Sequence, residues 1–61
     1  MKAIWFSPQG ELIGIVLIVD EITKEEKCYI GIGNGDDEEK DMETIAKNGV
    51  KFPLNVAKLL V

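Results

Sequence analysis

"CYIGIGNGDDEEKDMETI", Cys28 to Ile45, holds the change of pattern on which the fold turns. It begins with branched and aromatic residues, passes through Gly31, Gly33 and Gly35, and enters an acidic segment with helical spacing. The reading is a strand, a tight corner and a helix. Asp36 is the expected N-cap, with Glu39 three positions on as in a capping box. Acids in the first turn suit the positive end of the helix dipole. Met42, Ile45, Ala46 and Gly49 take the i, i+3, i+4, i+7 spacing of a buried stripe. Asn48-Gly49 is a natural stop.

The glycines raise the question of a ligand. A dinucleotide fingerprint needs G-x-G-x-x-G between strand and helix. Gly31 and Gly33 match its first two positions, but the third falls on Asp36. A Walker loop needs Gly-Lys followed by Ser or Thr, which is missing. Charge is decisive. Asp36, Asp37, Glu38 and Glu39 stand at the helix start where a phosphate would sit. Two like charges about 4 Å apart cost about 1 kcal/mol in water and roughly 4 at an effective dielectric of 20. The corner therefore reads as structural, with Gly33 and Gly35 supplying positive φ or close approach and Gly31 leaving room for a neighbouring side chain. Asn34, Asp36, Asp37 and Glu39 are oxygen donors of the type calcium accepts, but without EF-hand spacing.

Upstream, "KAIWFS" reads as a strand and "SPQG" as a type I turn. "ELIGIVLIVDEI" has a continuous branched core, which fits a strand buried on both faces; β-branching and Gly14 disfavour a helix. "TKEE" is a polar break and "KCYIGIG" a third strand. With tight turns, one sheet face would carry Ala3, Trp5, Leu12, Val16, Ile18, Cys28, Ile30 and Ile32. The other would carry Ile4, Phe6, Ile13, Ile15, Leu17, Val19 and Tyr29. Both faces are apolar, so each needs a cover. Downstream, "VKF" reads as a short extended link. Pro53 opens a final helix at its first position, with a terminal strand as the alternative. The expected fold is α+β: one domain over residues 1–61, a three-stranded antiparallel β-meander, one α-helix and a short C-terminal helix or strand.

Composition narrows the function. Sixty-one residues bury only about 60% of their unfolded surface, so a staple is expected. Cys28 is the lone cysteine and histidine is absent, which removes an intrachain disulfide and a zinc site as staples. Association with a second copy remains, giving a homodimer or larger. Ile, Val and Leu make up 18 of the 61 residues, which argues against disorder. All seven basic residues are lysines against 11 acids, for a net charge of −4, a poor match to nucleic acid. The apolar run Leu12–Val19 is too short to span a membrane. It lacks the flanks of a signal peptide, so a complete cytoplasmic protein is expected.

No nucleophile has a base partner. Cys28 reads as a buried apolar residue, and Ser7, Thr23 and Thr44 have no histidine to pair with. The expectation is a non-enzymatic protein without cofactor or metal. Residues 36–43 hold six acids and one lysine. They form a solvated helix face or a patch that docks a basic partner. Glu38 and Asp41 lie off the apolar stripe and are the expected contacts there, with Trp5 and Phe6 as an apolar contact surface. The reading is a small acidic homo-oligomeric interaction module that binds another protein. Size and charge suggest an inhibitor or accessory factor of phage or mobile-element type. The competing reading is a small-ligand or divalent-metal module at the Gly31–Glu39 corner.

Overall fold

In the computed structural model, which describes residues 1–6 and 12–60, the chain forms six elements. They are β1 (Lys2–Trp5), β2 (Leu12–Val19), β3 (Glu26–Gly33), α1 (Glu38–Asn48), β4 (Val50–Lys51) and α2 (Leu54–Leu60). The "SPQG" turn lies outside the described residues. The strands make one antiparallel sheet in the order β1-β2-β3-β4. The class is α+β and the meander is present, with one strand more than expected. Val50 and Lys51 are no mere link: they pair with Ile30 and Tyr29. Beyond them, the Phe52 amide donates to the Cys28 carbonyl at 2.9 Å. A chain leaving α1 beside β3 meets the unpaired N–H and C=O groups of that strand and satisfies them. The C-terminal segment is a helix. The Pro53 carbonyl accepts from the Ala57 amide at 3.0 Å, so proline stands just before the first helical residue.

The strand register corrects the expected faces. Ile4 pairs with Ile15 and Trp5 with Gly14. Ile13 pairs with Ile32, Ile15 with Ile30 and Leu17 with Cys28. Residues directly opposite share a face. Cys28, Ile30 and Ile32 therefore join Ile4, Ile13, Ile15 and Leu17, while Tyr29 joins Ala3, Trp5, Val16 and Ile18. A register change of an odd number of residues flips every side chain of a strand. Its cause is the β2–β3 connection, which takes over the end of the predicted second strand.

That connection is closed by two backbone bonds, Asp20 N to Glu25 O at 2.9 Å and Lys24 N to Asp20 O at 2.8 Å. The Asp20 carboxylate accepts from the Ile22 amide at 2.8 Å and the Thr23 amide at 3.1 Å. These amides, that of Thr23 foremost, hold the Asp20 carboxyl below its ordinary value. Aspartate binding its own downstream amides starts a turn, which is why β2 stops at Val19 and not at Ile22. Lys24 has φ 63°, the left-handed region. A side chain there costs about 1 kcal/mol or more. Lys24→Gly is accordingly expected to raise stability by about 0.5 kcal/mol after the extra entropy of the unfolded glycine is deducted. Urea denaturation measures it, and a loss of stability would contradict strain at this position.

The two helices cover opposite faces of the sheet. Ile45 of α1 is buried over Gly31, where a Cβ would come within 3.2 Å of Ile45 Cγ1. Val16 beneath that helix is fully buried. Met42, Ala46 and Gly49 line the same half-buried stripe, as their spacing predicts. On the other face, Ala57 of α2 forms a core with Ile15 and Cys28, joined by Leu17, Ile30, Phe52 and Leu54. Burial pushes the Cys28 thiol up, away from the thiolate form. Lys58 Nζ reaches Glu26 Oε2 at 3.2 Å and ties one flank of α2 to β3. Both groups are well exposed, so the pair contributes at most about 1 kcal/mol. Among the described residues, no helix is long and apolar enough to cross a membrane.

Candidate functional site

The glycine corner is a cradle for an anion, and the anion is the chain's own. β3 ends at Gly33, Gly35 turns the chain with φ 82°, and α1 begins at Glu38. This brings the amides of Asn34 and Gly35 to the Asp41 carboxylate. Asn34 N donates to Oδ1 at 2.8 Å and Gly35 N to Oδ2 at 2.9 Å. Successive amides in a turn make a concave positive site. Here both carboxylate oxygens fill it. Gly33 lets the side chain in, since a Cβ would stand 2.6 Å from Asp41 Cγ. Of the two glycine roles expected, positive φ belongs to Gly35 and close approach to Gly33. An incoming phosphate would have to displace Asp41 and approach Asp36, Asp37 and Glu38 as well. Among the described residues, no three Cys, Asp or Glu side chains gather in a metal-holding arrangement.

The N-cap is Asp37, one residue later than expected. Its backbone is extended, with φ −147° and ψ 120°, and its carbonyl accepts from Asp41 N at 2.9 Å. Its Oδ1 accepts from Glu39 N at 2.9 Å and Lys40 N at 3.4 Å. The shift arises because Asn34 and Gly35 are drawn to Asp41, which carries the turn one residue further before the helix can start. Asp36 is thereby left in the loop. Asp37→Ala is expected to lower stability by about 0.5–2 kcal/mol, and Asp36→Ala by much less. Thermal melts of the two variants decide between the caps.

The four expected contact residues divide. Trp5 and Glu38, 33 residues apart in sequence, come together: Trp5 Nε1 donates to Glu38 Oε1 at 3.2 Å. The indole lies over Gly14, where a Cβ would collide with the ring carbons at 2.4–2.5 Å. Phe6 is exposed on the opposite face of the sheet, beside Ile13, through its amide bond to the Ile13 carbonyl at 2.7 Å. Asp41 is only 1% exposed. The expectation that it lies on a solvated face is corrected, because its carboxylate is spent on the corner. Exposed acids at this end of the molecule are Asp36, Asp37, Glu38, Glu39 and Glu43, with Lys40 among them.

Ile13 and Ile32 belong beside Phe6, and the pattern reading missed them as a group. They pair across β2 and β3 and stay 41% and 58% exposed, next to Phe6 at 49%. The signal lay in Asp20, whose turn-forming side chain sets the register that aligns them. A second concavity of about 650 Å³ lies at the other end of that face, among Lys2, Leu17, Val19, Glu21, Lys24 and Lys58. It is an open groove with mixed charge.

Among the described residues, these features define a small α+β domain with one helix on each face of its sheet, an acidic end beside an indole, and an exposed apolar row. Compared with known proteins, the chain matches no protein family, no curated protein and no solved structure.

Proposed function

We propose that this is a non-enzymatic interaction module that works as a homodimer in the cytoplasm and docks a basic segment of another protein at its acidic end. The observation that carries the reading is the Trp5–Glu38 contact amid exposed carboxylates. It offers a cation both opposite charge and an aromatic ring within one small area. Size and charge fit an inhibitor or accessory factor of phage or mobile-element type. The alternative of a ligand or metal module at Gly31–Glu39 is weakened, since Asp41 already takes the two amides that make that corner attractive to an anion.

Affinity capture from host lysate followed by mass spectrometry identifies the partner, and surface plasmon resonance then tests the mode of binding. Asp41 is unsuitable as a probe because of its burial, so the double variant Glu38→Gln, Glu39→Gln is used. Association should slow in the variant, and the difference should shrink between about 50 and about 500 mM salt as the Debye length falls. Equal association rates for both proteins at both salt levels would reject acidic docking.

A further inference from the structure

We infer that the uncovered end of the α2-bearing sheet face is the self-association surface, and that its occupant is the same end of a second copy. The inference rests on the homodimeric reading above and specifies where the copies meet. α2 covers the rows containing Ile15, Leu17, Cys28 and Ile30. The next row holds Ile13 of β2, Ile32 of β3 and Phe6 just past the end of β1, and is exposed among the described residues. Val50 extends the apolar surface at the β4 edge, sharing the face of its partner Ile30. Helical geometry adds more. Lys58 holds one flank of α2 to Glu26. At about 100° per residue, Val56 and Leu60 lie on the flank away from that ion pair, and both are exposed.

Two observations point to a second copy as the cover. The first is where the charge lies. The carboxylates of residues 36–43 belong to the corner and helix on the opposite face of the sheet. Packing the two uncovered ends together about a twofold axis places both acidic helices outermost, where two chains of charge −4 repel least. Among the described residues that row carries no acid, so a basic partner would gain nothing from it. The second is size. The exposed parts of these six side chains offer on the order of 500 Å² per copy, below the about 800 Å² of a standard interface. That is a sizeable share of a chain with 4546 Å² of accessible surface. Contact of this extent is that of a weak, reversible dimer.

Sedimentation equilibrium of the purified protein tests this without any partner. Wild type should pass from monomer to dimer as concentration rises through the micromolar range. Ile32→Lys, at an exposed position, should keep its circular dichroism spectrum and raise the dissociation constant at least tenfold. Leu59→Lys alters a residue 84% exposed on the outer side of α2 and should dimerise like wild type. A wild type that stays monomeric at millimolar concentration overturns the inference. So does an Ile32→Lys protein that is folded and dimerises unchanged, or a loss of dimer in Leu59→Lys alone. Dimerisation with no salt-sensitive partner binding would instead reject acidic docking and leave this surface standing.

Discussion

Gly49→Ala is expected to cost about 2 kcal/mol or more, although alanine is ordinarily welcome at the φ of −70° found there. A Cβ at this position would stand 2.5 Å from the Ile45 carbonyl oxygen and 2.7 Å from that of Ile30. The first oxygen already accepts from the Gly49 amide at 2.8 Å, and the second belongs to β3. Both are backbone atoms, so no rotamer change relieves the overlap; α1 or β4 must move off the sheet. Restricting the unfolded chain returns only about 0.4–1 kcal/mol. Globular stability of about 0.05–0.15 kcal/mol per residue sets a total of roughly 3–9 kcal/mol for a chain this short, so the loss is a large fraction. In a domain of this size it corresponds to a fall in Tm of about 10 °C or more. Calorimetry reads it directly, and a Tm within a degree or two of wild type would mean that helix and sheet do not meet this closely.

Asp41→Ala is the second large effect. Removing the carboxylate strips the Asn34 and Gly35 amides of their acceptor in a part-buried corner. Hydrogen bonds to a charged group contribute about 1.5–3 kcal/mol each, but two that share one carboxylate are not additive, so a loss of about 3 kcal/mol is expected. Asp41→Asn keeps the shape and one acceptor oxygen while turning an NH₂ group toward a backbone donor. It should fall between alanine and wild type. Urea denaturation gives the energies, and hydrogen exchange locates them: the Asn34 and Gly35 amides should lose protection before the β2–β3 ladder does. Unchanged exchange at those two amides would remove Asp41 from this role. The variant also separates the structural and docking readings of the acidic segment. A solvated acid can be neutralised cheaply, whereas this one cannot.

The chain order of strand, corner and helix is legible because each signal is local, whereas the last element stays open between helix and strand. Branched runs, glycine spacing, the Met42–Ile45–Ala46 stripe and the proline at 53 act within a few residues of themselves. The need to cover both sheet faces was legible as well, from two apolar sets in one meander. The site was less so. The sequence points to both Trp5 and Glu38 as contacts, but nothing local says that they touch. Acids in a helix are usually solvated, and a single buried carboxylate inside an acidic run, as at Asp41, leaves no mark on periodicity.

The primary structure by itself determined the class of most elements, the acidic helix start and the absence of an intrachain disulfide and of histidine and arginine chemistry, since these follow from residue type and short-range geometry. Only the tertiary structure decided which face Cys28, Ile30 and Ile32 occupy, because register depends on how the Asp20–Glu25 turn closes, and a shift of an odd number of residues inverts a strand. It likewise decided that Val50–Lys51 is a strand, since two residues become a strand only when an edge is offered to them. The filling of the glycine corner by Asp41 is of the same kind. Two amides and a carboxylate six or seven residues away become partners once β3 and α1 pack together, and burial then makes the bond between them costly to lose.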